Sequence, residues 1–417
     1  MKPGLSSAAA FLLSAAASMG CQGAPSLEAQ RHEPDLLTEL MAADPGRFSS
    51  LLATADDQRL KIELAIVVEG EDGSPTLERH SFDAGPEYFY PASSVKTCAA
   101  IAAALQLRDL GARSGLEGEV SLDTPLRFQP LFEGEVVEEQ DASHRDGGTI
   151  TLAHEMRKVF LVSDNGAYNR LYEFAGNAYL NERMRAAGLE STRILHRLSE
   201  FHAPEDQLKT PRVELLRDGQ PIAAVPERVR GLDESNAALS GTSIGRGYMR
   251  GGELVEEPMS FVQKNYIQLR DLQDMQIMLL RPDVRIPGRP ASAGFALEPD
   301  DRELMRAAMA ATPGGSTDPV YDSEAYPDSY SKFLGPGVWR VLPKDEVTIR
   351  DKVGRAYGFS ITNSEVTEKS TGRAFFLAAT LYHNPNGILN DNLYDYPVAD
   401  RFLEDLGEVV ARHVFGD

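Results

Sequence analysis

Cysteine is nearly absent from this chain, with only Cys21 and Cys98 among 417 residues. Two cysteines build neither a disulfide framework nor a zinc site. Cys98 lies in an apolar run and reads as a small core residue. Positive charge is also scarce: 42 Lys and Arg stand against 63 Asp and Glu, a formal charge of −21. Such a balance excludes nucleic acid and anionic membrane surfaces as natural partners. The acidic residues are spread along the chain as a solvated surface and identify no substrate. Beyond the first twenty residues no apolar run is long enough to span a membrane, and no internal repeat occurs. What remains is a composition of 42% hydrophobic and 25% charged residues, ordinary for a soluble globular protein. The length accommodates two or three domain-sized units, or one large domain with an insertion.

Residues 1–20 combine Lys2, an apolar stretch from Ala8 to Ala17, and Ser18-Met19-Gly20 before Cys21. This is the form of a signal peptide with small residues at its cleavage point. Cys21 directly after them resembles a bacterial lipoprotein box, although Ser18 and Met19 depart from its usual start. The expectation is export, either to the periplasm or as a lipoprotein anchored at Cys21, with residues 21–33 as a polar tether and 34–417 as the folded domain.

Within that domain, Leu60 to Glu69 alternates with β-branched residues and predicts a strand, returning through His80-Ser81-Phe82 after the turn-like 71–75. The spacing predicts a helix from Ser93 to about Gly111, introduced by Pro91. Further helical periodicity occupies 151–160, 167–174, 178–187, 266–280, 302–311 and 400–414. Residues 347–354, 357–362 and 373–383 read as strands, the last as a central one. The weakly patterned 205–262 segment reads as an insertion. Strands at both ends around a helical middle predict an α+β fold: an antiparallel sheet built from both chain ends, flanking helices, and an inserted, mainly helical region.

Three short motifs carry the chemistry. Ser93 and Lys96 stand three residues apart at the mouth of the first long helix, so they share a face. A serine becomes a nucleophile when a neighbouring base takes its proton, and a desolvated lysine can be that base. Ser94 lies on another face. Ser163-Asp164-Asn165 is turn chemistry interrupting an apolar helical layer. Lys352-Val353-Gly354 lies on a strand followed by a strand.

Together and in this order, Ser93-x-x-Lys96, Ser163-Asp164-Asn165 and Lys352-Val353-Gly354 resemble the S-x-x-K, S-D-N and K-[ST]-G set of class A β-lactamases and penicillin-binding proteins. The resemblance covers roughly residues 60–417. It implies a β-lactamase/transpeptidase-like fold, no cofactor and no metal, and a small-molecule β-lactam or a D-amino-acid peptide of peptidoglycan as substrate. Ser93 would be acylated, with Lys96 taking its proton. Ser163 would pass a proton to the leaving nitrogen, Asn165 would hold Lys96 and a substrate amide, and Lys352 would attract an anionic substrate. The backbone N–H groups of Ser93 and Arg355, the residue after Gly354, would form the oxyanion hole. Val353 departs from the motif by removing a hydroxyl that in the family bonds the substrate carboxylate; Arg355 is the candidate replacement. The family's E-x-x-L-N setting for the deacylating glutamate is missing. Glu200 is nearest by offset and Glu205 second.

Other chemistry competes. Gly241-Thr242-Ser243-Ile244-Gly245 matches a G-x-S-x-G nucleophile elbow, which requires a strand before it and a helix after it. His196, Glu200 and His202 have no H-E-x-x-H frame for a metal. A D-Ala-D-Ala peptidase or esterase, and a penicillin-binding or peptidoglycan-sensing domain without turnover, remain open within the same superfamily.

Overall fold

Strand β1 (Lys61–Glu69) and strand β2 (Pro75–Phe82) form an antiparallel hairpin whose register places Leu64 opposite His80. In the computed structural model, which describes residues 35–416 apart from Ala84, Arg230, Leu232 and Asp233, this hairpin joins three long strands from the other end of the chain. The sheet order is Val347–Asp351, Phe359–Glu368, Ala374–Tyr382, β1, β2, and the short strand Gly354–Ala356 also pairs with Phe359–Glu368. All of these pairings are antiparallel. The α+β class with a sheet drawn from both chain ends is therefore the observed one. The expected signal sequence and tether, with Cys21, lie outside the described residues.

Ala374–Tyr382 reads as a nearly unbroken apolar run because both of its faces are covered. Phe376 and Ala378 pack into the core that holds the helical layer, while Phe375, Leu377, Ala379 and Leu381 pack into a second core. The second core is closed by helices α1 (Leu36–Ala42) and α2 (Pro45–Leu52) and by the C-terminal helix Tyr396–Phe415. Helix α2 has no counterpart in the sequence reading; it begins with a proline in its first turn, where the missing N–H costs little.

The helical layer contains α3 (Lys96–Ser114), α4 (Leu152–Val162), α5 (Asn165–Ala175) and α6 (Asn177–Ala186). Helix α3 is buried for most of its length because alanines at 99, 100, 102, 103 and 104 let neighbours approach, and Gly115 ends it at φ +68°. One expectation is corrected. The strand expected over 347–354 breaks at Lys352-Val353 into Val347–Asp351 and Gly354–Ala356. The weakly patterned 205–262 segment, in which residues 213–225 read as a hairpin about Asp218-Gly219, is largely short strands: the hairpin Val213–Arg217/Gln220–Val225 turns at Asp218-Gly219, and Gly247–Arg250 pairs with Glu253–Val255. Its β-branched and apolar residues alternate over too few positions to carry a helical period.

Candidate active site

The nucleophile candidate is held by a strained entry. Ala92 adopts φ +48°, outside the range a non-glycine residue normally occupies, and the chain then forms one 3-10 turn, Ala92–Val95, before α3 begins at Lys96. Strain of this kind costs roughly 1–3 kcal/mol and persists only where surrounding packing enforces it. The enforcing element is the strand Gly354–Ala356. A Cβ on Gly354 would lie 2.6 Å from the Pro91 carbonyl oxygen, 2.9 Å from Ser94 N and 3.0 Å from Ser93 N. Glycine is thus the residue that lets the strand backbone meet the start of the helix.

Lys96 is fully buried and its ammonium points at the turn between α4 and α5. It donates to the carbonyl of Ser163, to the Asp164 carbonyl at 3.1 Å, to Asn165 Oδ1 at 2.7 Å and, more weakly, to Ser163 Oγ at 3.4 Å. The turn exposes these acceptors because Ser163 ends α4 in the left-handed conformation (φ 60°, ψ 37°), and Asp164 caps α5 by accepting from Ala167 N at 2.7 Å. Burial, reinforced by the neighbouring Lys352 cation, holds the Lys96 pKa well below the usual lysine value. The shift favours the neutral amine, the form that can take a proton.

Lys352 reaches the same hydroxyl from the sheet side. Its Nζ donates to Ser163 Oγ at 2.9 Å and to the Val353 carbonyl at 2.7 Å. Burial lowers its pKa to about 7; Asp351 opposes the shift and Lys332 adds to it. Ser163 Oγ therefore accepts from two lysines, which leaves its own proton for a group in the adjoining cavity. That cavity, ≈ 430 Å³, is lined by Ser93, Ser163, Asn165, Val353 and Arg355 together with Tyr330, Lys332 and Phe333. Its size suits a small organic substrate.

Ser93, Lys96, Ser163, Asn165, Lys352 and Gly354 are thus one constellation. Arg355 borders it but is engaged elsewhere: its guanidinium pairs with Asp400 and lies 4.5 Å from the Phe333 ring centre and 4.8 Å from that of Tyr396. Glu200 borders a second cavity, ≈ 290 Å³, that Ser93 and Asn165 also line. One of its oxygens accepts from Asn169 Nδ2 at 2.7 Å; the other lies 3.2 Å from His202 Nε2. Glu205 lines only a further cavity beyond Glu200. Ser243 is the exposed residue of a two-residue strand and pairs with Ser260, with no helix after it, so the elbow geometry is missing there. Lys332, Tyr330 and Phe333 are among the wall residues that escaped the sequence reading. Lys332, whose Nζ donates to the Met309 carbonyl at 2.6 Å, belongs to a loop without motif. Tyr330 and Phe333 come from the same 312–337 loop and are brought in by tertiary packing alone.

Residues 81–217 match the family described as the β-lactamase enzyme family. The matched stretch holds Ser93, Lys96, Ser163, Asn165 and Glu200 and ends before Lys352. No curated protein matches the chain in sequence. Among solved structures, a β-lactamase from Xanthomonas campestris pv. campestris is 17% identical, with 91% of this chain and 97% of that one covered at a TM-score of 0.48. A β-lactamase from Burkholderia vietnamiensis is 13% identical, with 92% and 97% covered and a TM-score of 0.48. The chromosome-encoded β-lactamase of Vibrio parahaemolyticus is 14% identical, with 88% and 97% covered and a TM-score of 0.47. The resemblance of the chain to the serine β-lactamase and penicillin-binding-protein superfamily rests on the ordered motifs and on the family match.

Proposed function

We propose that this chain is a β-lactamase-like serine hydrolase that forms an acyl-enzyme on Ser93. The observation that carries this reading is the convergence of two buried lysines on one hydroxyl, Lys96 at 3.4 Å and Lys352 at 2.9 Å from Ser163 Oγ, beside a cavity lined by Ser93.

In the proposed reaction Ser93 Oγ attacks the carbonyl carbon of a β-lactam and its proton passes to neutral Lys96. The carbonyl oxygen becomes an oxyanion facing the N–H groups of Ser93 and Arg355. The C–N bond then breaks, the leaving nitrogen takes the Ser163 proton, and the proton held by Lys96 restores the Ser163 hydroxyl. An ester on Ser93 remains. Glu200 deprotonates the water that hydrolyses it, returning the proton to Ser93 as the ester C–O bond breaks.

A second reading has its own support. Glu200 is already occupied by Asn169 and His202, and Arg355 by Asp400; a site with these groups committed suits slow deacylation, as in a penicillin-binding or sensing domain. Intact-mass spectrometry with a labelled penicillin separates the readings. A transient adduct, absent in Ser93→Ala and long-lived in Glu200→Gln, is expected for the hydrolase. A stable adduct on the unaltered chain would favour the binding domain, and no adduct would remove the β-lactam-directed proposal. Export with a lipid anchor at Cys21 is proposed from the N-terminal sequence, and the mass of the mature N-terminus tests it.

A further inference from the structure

Away from the serine site, two histidines and an aspartate meet where three segments converge. His154 is on α4, His144 on the preceding loop and Asp318 on the loop after the helix Pro299–Ala310. One ligand atom from each lies within 4.8 Å of the other two.

Hydrogen bonding assigns the tautomer of both rings. His144 Nδ1 lies 2.5 Å from the Thr149 carbonyl oxygen, which can only accept, so Nδ1 carries the proton and Nε2 has the lone pair. Ser143 Oγ donates its one proton to Asp141 Oδ1 at 2.6 Å, so it must accept from His154 Nε2 at 2.9 Å. His154 Nδ1 is then also a bare lone pair, in a ring with no solvent exposure and without any hydrogen-bond partner for that atom. Both bare nitrogens face Asp318: His144 Nε2 is 3.7 Å from Oδ2 and His154 Nδ1 is 3.8 Å from Oδ1. Arg145 N donates to Asp318 Oδ1 at 3.1 Å, which leaves Oδ2 and the two bare ring nitrogens, one of them sealed from water, as acceptors gathered at a site for a cation.

We propose that His144, His154 and Asp318 bind a divalent transition-metal ion of the zinc class. Two neutral imidazoles and a carboxylate favour zinc, nickel or cobalt over magnesium, which prefers oxygen and water. Tetrahedral zinc, with ligands at about 2.0–2.2 Å, sets its donors about 3.3 Å apart, so the three donors, now within 4.8 Å of one another, draw together on binding. The rings, stacked at 4.2 Å and 18°, tilt apart to aim both lone pairs at one ion. Thr149 and the Ser143–Asp141 pair already orient the rings through their other nitrogens, the usual outer support of metal-binding histidine. Asp318, partly exposed, provides the route of entry. The ion would pin both loops to α4, the helix that ends at Ser163, and thus acts as a structural clamp.

The full chain, stripped with a chelator and dialysed, is titrated with zinc chloride by calorimetry and followed by thermal unfolding, with magnesium chloride as control. Expected are one zinc per chain with micromolar or tighter affinity, a rise in Tm of several degrees, and no response to magnesium. Asp318→Asn and, independently, His144→Gln are each expected to weaken zinc binding at least 10-fold, and either folded variant suffices. Absence of saturable binding, or unchanged affinity in a folded variant, overturns the proposal.

Discussion

At the scale of single residues the site departs from the K-[ST]-G motif at Val353. The side chain lines the cavity beside Ser163 and Lys352 but offers it no hydrogen bond. Arg355, the candidate replacement, is paired with Asp400 and enclosed by Phe333 and Tyr396. With Arg355 so paired and Lys332 donating to the Met309 carbonyl, Lys352 at Ser163 is the cation that would attract an anionic substrate. Val353→Thr adds a hydroxyl without enlarging the side chain appreciably; one hydrogen bond to a carboxylate contributes roughly 1.5–3 kcal/mol, about 10-fold or more in affinity. The expected outcome is a KM for carboxylate-bearing β-lactams reduced by that factor and little change for a neutral ester. Equal KM values for both substrate types in the variant would show that the substrate carboxylate lies elsewhere.

At the scale of elements the constellation depends on three chain reversals, and these differ in how much the sequence discloses. The α4–α5 break was legible because Ser, Asp and Asn side chains bond local backbone, and the structure uses Ser163 as a left-handed cap and Asp164 as the next helix's cap. The start of α3 was legible as a helix mouth, but the 3-10 turn and the positive φ of Ala92 were not, since nothing in an alanine signals strain that neighbouring elements impose. The break of the strand at Lys352-Val353 was hidden for a related reason: Val347, Ile349 and Val353 stand at alternate positions leading into it, and no proline or turn residue marks the gap. Lys332, Tyr330 and Phe333 were invisible because a loop residue's position follows from packing rather than from local pattern. The contact between Gly354 and the Pro91–Ser94 backbone couples two of these reversals. Gly354→Ala sets a methyl group 2.6 Å from the Pro91 oxygen, so strand and turn must separate and an oxyanion donor is displaced. Loss of one such donor costs about 10²–10³ in rate. Acylation of Ser93, read by stopped-flow with a chromogenic β-lactam, is expected to slow by about that factor while circular dichroism stays native; an unimpaired rate would mean that the strand does not hold the Ser93 turn.

At the scale of the whole molecule the sheet is closed by elements far apart in sequence, and Glu408 ties them together on the face opposite the serine's helical layer. It lies in the C-terminal helix and accepts from Arg47 of α2 at 2.9 Å, from Arg340 at 3.2 Å and from Arg412 at 2.8 Å. Close packing fixes the same region: a Cβ on Gly337 would meet the Glu404 carbonyl oxygen at 1.7 Å. Burial pushes the Glu408 pKa up, but the guanidiniums of Arg412, Arg47 and Arg340 outweigh it and bring the value to about 2, against an ordinary 4.5. A carboxylate depressed in the folded state stabilises it above the unfolded pKa, and that contribution disappears as pH falls through the folded one. Glu408 therefore contributes in full above about pH 4.5 and loses its contribution between there and about pH 2. Glu408→Gln retains the shape and removes the charge. The variant is expected to have a Tm several degrees lower at neutral pH, with the difference from the parent shrinking as the pH is lowered through that window. Thermal unfolding of both proteins at pH 7, 4 and 3 measures it, and a Tm difference that stays constant with pH would assign the effect to packing instead of charge.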